Sequence, residues 1–191
     1  PEPPAGRPKK PAPVPGVPFS RSYWVQHPHF LAGCYPGEKD PHQAREKIDA
    51  LLKEGVRTIV NLMEEIEIGH DGLQINPYDA ILSELSELRG LKTEMVRCPI
   101  RDVSITTPEH MRSILDVIDR EISRGVPVYV HCWGGRGRTG TVVGCWLIRH
   151  GIATGNKALD HIQQLRQRVP DRRQLSPETP AQCEMVRRWY E

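Results

Sequence analysis

Apolar and polar positions along this chain follow two periods. Short runs rich in β-branched and aromatic residues at 23–25, 30–33, 58–63, 93–100 and 126–131 predict strands. His27-Pro28 interrupts the first two and makes them a hairpin. Between the others, apolar residues recur at helical spacing. Ala44, Ile48, Leu51 and Leu52 share a face of 41–54, which Pro41 opens and Gly55 closes. Tyr78, Ile81, Leu82, Leu85 and Leu88 form a second stripe, ended by Gly90. Met111, Ile114, Leu115, Ile118 and Ile122 form a third, with Thr107-Pro108-Glu109 as its start and Gly125 as its end. Residues 138–150, 156–169 and 180–190 predict three closing helices. Strands separated by helices require crossovers, so the expected fold is α/β: one domain over 20–191 with a mostly parallel sheet flanked by helices.

The first residues change the picture at one end. Positions 1–18 hold 8 of the 18 prolines and little that could anchor a core, so 1–19 is expected to be a disordered, proline-rich arm. Pro8-Lys-Lys-Pro11 and Pro15-Gly-Val-Pro18 have the PxxP spacing of a ligand for a proline-recognition module, the alternative use of such an arm. Net charge is +2, which gives no general drive towards nucleic acid. No window approaches about 18 apolar residues, so no membrane span is expected; no charged-then-apolar stretch opens the sequence, which begins at Pro1 and leaves a trimmed leader open. Five cysteines at irregular spacing, with no CxxC pair, suggest reduced thiols in a cytoplasmic setting rather than a disulfide framework.

One cysteine departs from that pattern. The segment 128–143, VYVHCWGGRGRTGTVV, runs from a predicted strand through a glycine-rich loop into a helix. Gly134, Gly135 and Gly137 allow successive amides to turn inward as a nest, and the following helix points its positive end at the same place. This loop, 132–137, is a seat for a tetrahedral oxyanion such as phosphate. Arg138, six residues after Cys132, adds a planar fork suited to two phosphate oxygens. In such surroundings the Cys132 thiol is expected to fall into the roughly 3.5–7.5 range and act as a nucleophile. Cys145, between Val142, Val143 and Leu147, reads instead as an ordinary buried thiol.

His131-Cys132-Trp133-Gly134-Gly135-Arg136-Gly137-Arg138-Thr139-Gly140 resembles the HC-x-x-G-x-x-R-T-G signature of the cysteine-dependent protein tyrosine phosphatase superfamily. Element order extends the resemblance over 20–191. The short body, without the phosphotyrosine loop of the larger tyrosine-specific enzymes, points to the compact, atypical dual-specificity branch. The rival reading of Gly135-x-Gly137-x-x-Gly140 as a dinucleotide fingerprint fails because Asp160 falls inside a predicted helix rather than at a second strand.

The resemblance implies a phosphomonoesterase working through a phosphocysteine on Cys132, with neither cofactor nor metal. Arg138 would hold the phosphoryl group, with Trp133, Gly134, Gly135, Arg136 and Gly137 as the rest of the phosphate-binding loop. Thr139 would donate to the departing thiolate, and His131 would bond the loop backbone and help keep Cys132 ionised. Asp102, in the 101–107 loop that follows a strand, would be the general acid and then base; capping of a turn is its structural alternative. In the family a late glutamine loop positions the hydrolytic water. Here Glu178 stands at its first position and leaves Gln182 as the candidate, while Thr179-Pro180 also reads as a simple helix start. Arg136, with the basic cluster Arg166, Arg168, Arg172 and Arg173, raises two substrate classes: a phosphorylated protein, or a multiply phosphorylated small molecule such as an inositol phosphate or phosphoinositide; a solvated helix face is the commoner reading of such an arginine run. Cys34 and Cys98 are possible redox partners of Cys132. A phosphate-binding pseudophosphatase and a rhodanese-like sulfurtransferase are the competing classes.

Overall fold

The computed structural model describes residues 16–191; both PxxP motifs of the proline-rich arm fall wholly or partly outside them. The chain folds into strands β1 (Ser22–Gln26), β2 (Phe30–Gly33), β3 (Thr58–Asn61), β4 (Glu94–Arg97) and β5 (Val128–His131). Its helices are α1 (Pro41–Lys53), α2 (Asp79–Leu88), α3 (Pro108–Ser123), α4 (Arg138–Arg149), α5 (Asn156–Leu165) and α6 (Pro180–Arg187). The sheet order is β1-β2-β5-β3-β4, with β1–β2 antiparallel and the remaining pairs parallel.

Both faces of this sheet are buried, and the period of 2 sorts its side chains between them. Leu31, Ile59 and Tyr129 face α1 and α2, meeting Ile48, Leu51, Leu82 and Leu85. Phe30, Ala32, Val60, Val128 and Val130 face the α3–α6 layer. In that layer α4 is central: every residue from Arg138 to Leu147 is buried. Phe19 packs edge-on against Tyr129, 5.9 Å between ring centroids, so the first core side chain precedes β1.

The predicted helix starts recur in detail. Asp40 caps α1 by accepting from the His42 amide at 2.9 Å, and Thr107 caps α3 by accepting from that of His110 at 3.1 Å. Four expectations need correction. Leu88, placed on the apolar stripe of α2, is 70% exposed at the helix end. The helix expected over 156–169 stops at Leu165, because the side chain of Arg166 turns inward and ties the following chain to itself through Asp171 (2.8 Å) and the Gln174 carbonyl (3.3 Å). Arg166 is therefore a buried structural cation, not a member of a solvated basic cluster. The last helix ends at Arg187 rather than 190, as buried Trp189 folds back on Val186.

Every loop that leaves the carboxyl end of a parallel strand other than β2 leads to one crevice. These are the segments after β3, β4 and β5, and the last contains Cys132. Ligands of open α/β sheets bind outside this edge.

Candidate active site

The loop between β5 and α4 is held from outside by its carbonyls. Cys132 O accepts from His131 Nδ1 (2.9 Å), Trp133 O from the Tyr35 amide (2.9 Å), Gly134 O from Arg21 Nη2 (3.3 Å), and Arg136 O from Ser176 Oγ (2.7 Å). In a trans peptide the N–H points opposite to the carbonyl. The amides of Trp133, Gly134, Gly135 and Gly137 are thereby turned to the other side of the loop, the orientation that a nest of amides requires. Gly137, the N-cap of α4, offers no side-chain cap, so no side chain competes for the first amides of that helix. Gly135 has φ +72°, and a Cβ there would lie 2.4 Å from the carbonyl carbon of Gly33 and 2.6 Å from the Cys34 amide nitrogen. Only glycine permits that approach.

Asp102, Cys132 and Arg138 line one cavity of ≈ 190 Å³ together with Trp133, Gly134, Arg136 and Gly137. Cys132 is buried, and Thr139 Oγ1 donates to its Sγ at 3.0 Å. His131 is fully buried behind the loop. Its Nδ1–H donates to the Cys132 carbonyl, so Nε2 accepts from the Tyr78 hydroxyl at 2.7 Å. Burial, with smaller contributions from the charges of Arg138 and Arg97, pushes its pKa down to about 3. The imidazole is neutral at physiological pH, so whatever it does for Cys132 runs through the backbone and not through a positive ring.

Arg138 is buried and spoken for along one edge. Its Nη1 and Nη2 both donate to the carboxylate of Glu67, Nη2 at 3.0 Å from Oε2, and Nη1 also donates to the Ile100 carbonyl at 3.0 Å. The other edge is different. Nη2 lies 3.0 Å from Asp102 Oδ1, and Nε has no hydrogen-bond partner among the described residues. The Nε–Nη2 pair is thus the edge of the fork left to take two oxygens of an anion. Asp102 itself is 62% exposed, and its Oδ1 also accepts from the Val103 amide at 2.9 Å. Val103 adopts φ 57°, a left-handed conformation that costs a β-branched residue strain and marks this loop as an outlier.

Gln182 lies beside the loop rather than in the cavity. Its Oε1 accepts from the amides of Glu178 and Thr179, and its Nε2 donates to the Ser104 carbonyl at 3.1 Å. It completes a capping box with Thr179 and braces the 101–107 loop. Glu178, one turn away, lines the cavity and pairs with Arg136. Sequence reasoning missed Glu67, Arg21, Asp171 and His70. Only Glu67 left a trace, the Glu64-Glu65-Ile66-Glu67 run just past a strand's carboxyl end. His70 stacks on Trp133 (4.4 Å between centroids, 22° between planes), and Asp171 lies between Arg166 (2.8 Å) and Arg21 (3.5 Å). Burial raises the thiol pKa of both Cys34 and Cys98, which disfavours either as an attacking thiolate, and all five cysteines are free. Among the described residues no cluster of His, Cys, Asp and Glu is arranged to hold a metal, and no helix is long and apolar enough to cross a membrane.

Comparison with known proteins agrees with this fold. The solved structure of Tk-PTP in its active form superposes with a TM-score of 0.63 at 20% identity, covering 88% of this chain and 95% of that one. PTPMT1 in complex with PI(5)P superposes equally well, with a TM-score of 0.63 at 19% identity over 88% and 94% of the two chains. Phosphatidylglycerophosphate phosphatase PTPMT2 of Arabidopsis thaliana is 30% identical over 154 residues, which are 77% of this chain and 57% of that protein. The chain thus spans little more than half of that relative's length. The model of the Swiss Army Knife protein DSP-PTPase phosphatase domain matches residues 23–185. With that match covering most of the sequence, and a cysteine, an arginine and a glycine loop on the expected sheet edge, the chain belongs to the compact dual-specificity branch of the cysteine-dependent protein tyrosine phosphatase superfamily.

Proposed function

We propose that the chain is a cysteine-dependent phosphomonoesterase of the dual-specificity type. The phosphate of the substrate sits in the amide nest with two of its oxygens on the Nε–Nη2 edge of Arg138, displacing Asp102 from Nη2. The Cys132 thiolate attacks phosphorus while the bond from phosphorus to the leaving oxygen breaks, and Asp102, as a carboxylic acid, protonates that oxygen. In the second half water attacks the phosphocysteine, the resulting Asp102 carboxylate takes its proton, and the P–S bond breaks to return the thiolate. The Thr139 hydroxyl, already on Sγ, stabilises the sulfur as it leaves. Charge developing on the equatorial oxygens meets the donors of the loop and of buried Arg138. The observation that carries this reading is that Cys132, Asp102 and Arg138, whose Nε has no hydrogen-bond partner among the described residues, line one cavity. Free-phosphate release from phosphopeptides and lipid phosphates, beside the Cys132→Ser protein, tests it: release that vanishes in the variant is expected.

Within this chemistry a phosphoprotein is the first substrate class. A lipid phosphomonoester is the second, favoured by the name of the Arabidopsis relative. The stacked His70–Trp133 pair lines both the catalytic cavity and a neighbouring one of ≈ 430 Å³, which gives the alcohol part of either substrate a place to lie. A cytoplasmic, reducing location belongs to the same reading; the irregular spacing of the five cysteines is its support.

A further inference from the structure

The charge balance of the catalytic cavity carries a statement about its substrate, resting on the phosphomonoesterase reading. Three guanidiniums (Arg21, Arg136, Arg138) and three carboxylates (Asp102, Asp171, Glu178) line the cavity. Each guanidinium already has a carboxylate beside it: Asp171 lies 3.5 Å from Arg21, Asp102 lies 3.0 Å from Arg138, and Glu178 pairs with Arg136. Asp102 has a chemical task, and Asp171 also neutralises buried Arg166. The Glu178–Arg136 pair has no such task, although the sequence singles out both residues: Arg136 as a cation for additional phosphate, Glu178 as a departure from the family's glutamine.

The backbone that carries Glu178 is fixed from several sides, and its carboxylate is held by Arg136. Its own amide donates to Gln182 Oε1 at 3.1 Å, and the amide group of Gln182 is in turn anchored on Ser104. Ser176, two residues earlier, holds the carbonyl of Arg136 at 2.7 Å, which locks this segment to the phosphate-binding loop. Glu178 Oε2 would be 3.1 Å from a Cβ on Gly137, so the negative charge lies against the last glycine of that loop. The side chains of Arg136 and Glu178 are 22% and 39% exposed, partly withdrawn from the screening of bulk solvent.

We propose that Glu178 is a specificity-determining residue, a built-in counter-anion that occupies Arg136 and restricts the site to substrates with a single phosphomonoester. A second phosphate beside the scissile one would find Arg136 engaged and would face the Glu178 carboxylate in a cavity whose lining, among the described residues, holds no surplus cation. Rejection by like charge is specificity through repulsion, and it leaves a substrate with one phosphate untouched. Arg136 reads as a polyanion receptor only until its partner is seen.

The test uses Glu178→Gln, which keeps size and removes charge, the double variant Glu178→Gln/Arg136→Ala, and two probes, inositol hexakisphosphate and p-nitrophenyl phosphate. The readout is the ratio of kcat/KM for the polyphosphate to that for the aryl phosphate. Glu178→Gln is expected to raise this ratio on the order of tenfold, less at high salt, and the double variant to return it to the parent value. A ratio in folded Glu178→Gln within about twofold of the parent would overturn the proposal, and so would a rise that survives loss of Arg136. If the parent releases no phosphate from the aryl probe, it is the phosphomonoesterase reading that fails. Calorimetric affinity for inositol hexakisphosphate then decides on Glu178 alone: tighter binding by Glu178→Gln supports the filter, and unchanged binding refutes it.

Discussion

Arg138 and Glu67 meet as a buried two-pronged ion pair, with Nη1 and Nη2 of the guanidinium both on the one carboxylate. The pair fixes the plane of the fork and leaves to an anion Nε and, once Asp102 is displaced, the other side of Nη2. Removing the carboxylate strands a buried charge. Glu67→Ala should lower unfolding stability by about 3–5 kcal/mol, read from urea midpoints, and should cost turnover on any phosphomonoester. Glu67→Gln, which retains one acceptor, should be milder in both. A Glu67→Ala protein with parental stability and rate would show that Arg138 does not depend on it.

Asp102 should matter in proportion to how badly the leaving group needs a proton. Asp102→Asn is expected to lose on the order of 10²–10⁴ in kcat with an alkyl phosphate and much less with p-nitrophenyl phosphate. Equal losses on both substrates would remove Asp102 from the acid's role and leave it as a cap for the Val103 turn.

His131 predicts a pH dependence of stability. Its pKa is about 3 in the folded protein against an ordinary 6.5, so between these values the unfolded chain binds the extra proton. Stability should therefore fall as pH drops through this window, by on the order of 1 kcal/mol per pH unit at its steepest, and this component should be fully present above about pH 6.5. Denaturant unfolding across the window, compared with His131→Gln, isolates it. The parent should show the steeper slope; parallel slopes would mean that the ring is protonated when folded.

Gly135→Ala should break the loop without touching a chemical group. The new methyl would strike the backbone of Gly33 and Cys34, and φ +72° adds strain. Loss of nearly all phosphatase activity, with a lowered Tm, is expected. Parental activity in this variant would contradict the tight seat of the loop on the end of β2.

Much of this architecture is legible in the sequence because the signals are local. The strand–loop–helix passage through 131–140 holds the nucleophile, the arginine and the glycines in consecutive residues, and Thr107 and Thr179 announce helix starts by their own chemistry. The partners of those residues are not local. Glu67 lies 71 residues from Arg138, and Glu178 lies 42 from Arg136, so no spacing rule joins them before the crossovers bring the strand ends together. Arg166 misled for a related reason. A run of arginines reads as a solvated face, and only Asp171, five residues on and turned back by the loop, makes its burial tolerable. Gln182 was ambiguous because capping and water positioning ask for the same side chain, and its amide is engaged on three backbone groups.

The central claim is covalent: phosphate passes through the sulfur of Cys132. The most direct measurement is rapid acid quench of the protein during turnover of p-nitrophenyl phosphate, followed by peptide mass spectrometry. A phosphoryl group on the peptide containing Cys132, absent from the Cys132→Ser protein along with all turnover, is the predicted result. Turnover that persists in Cys132→Ser would contradict the account.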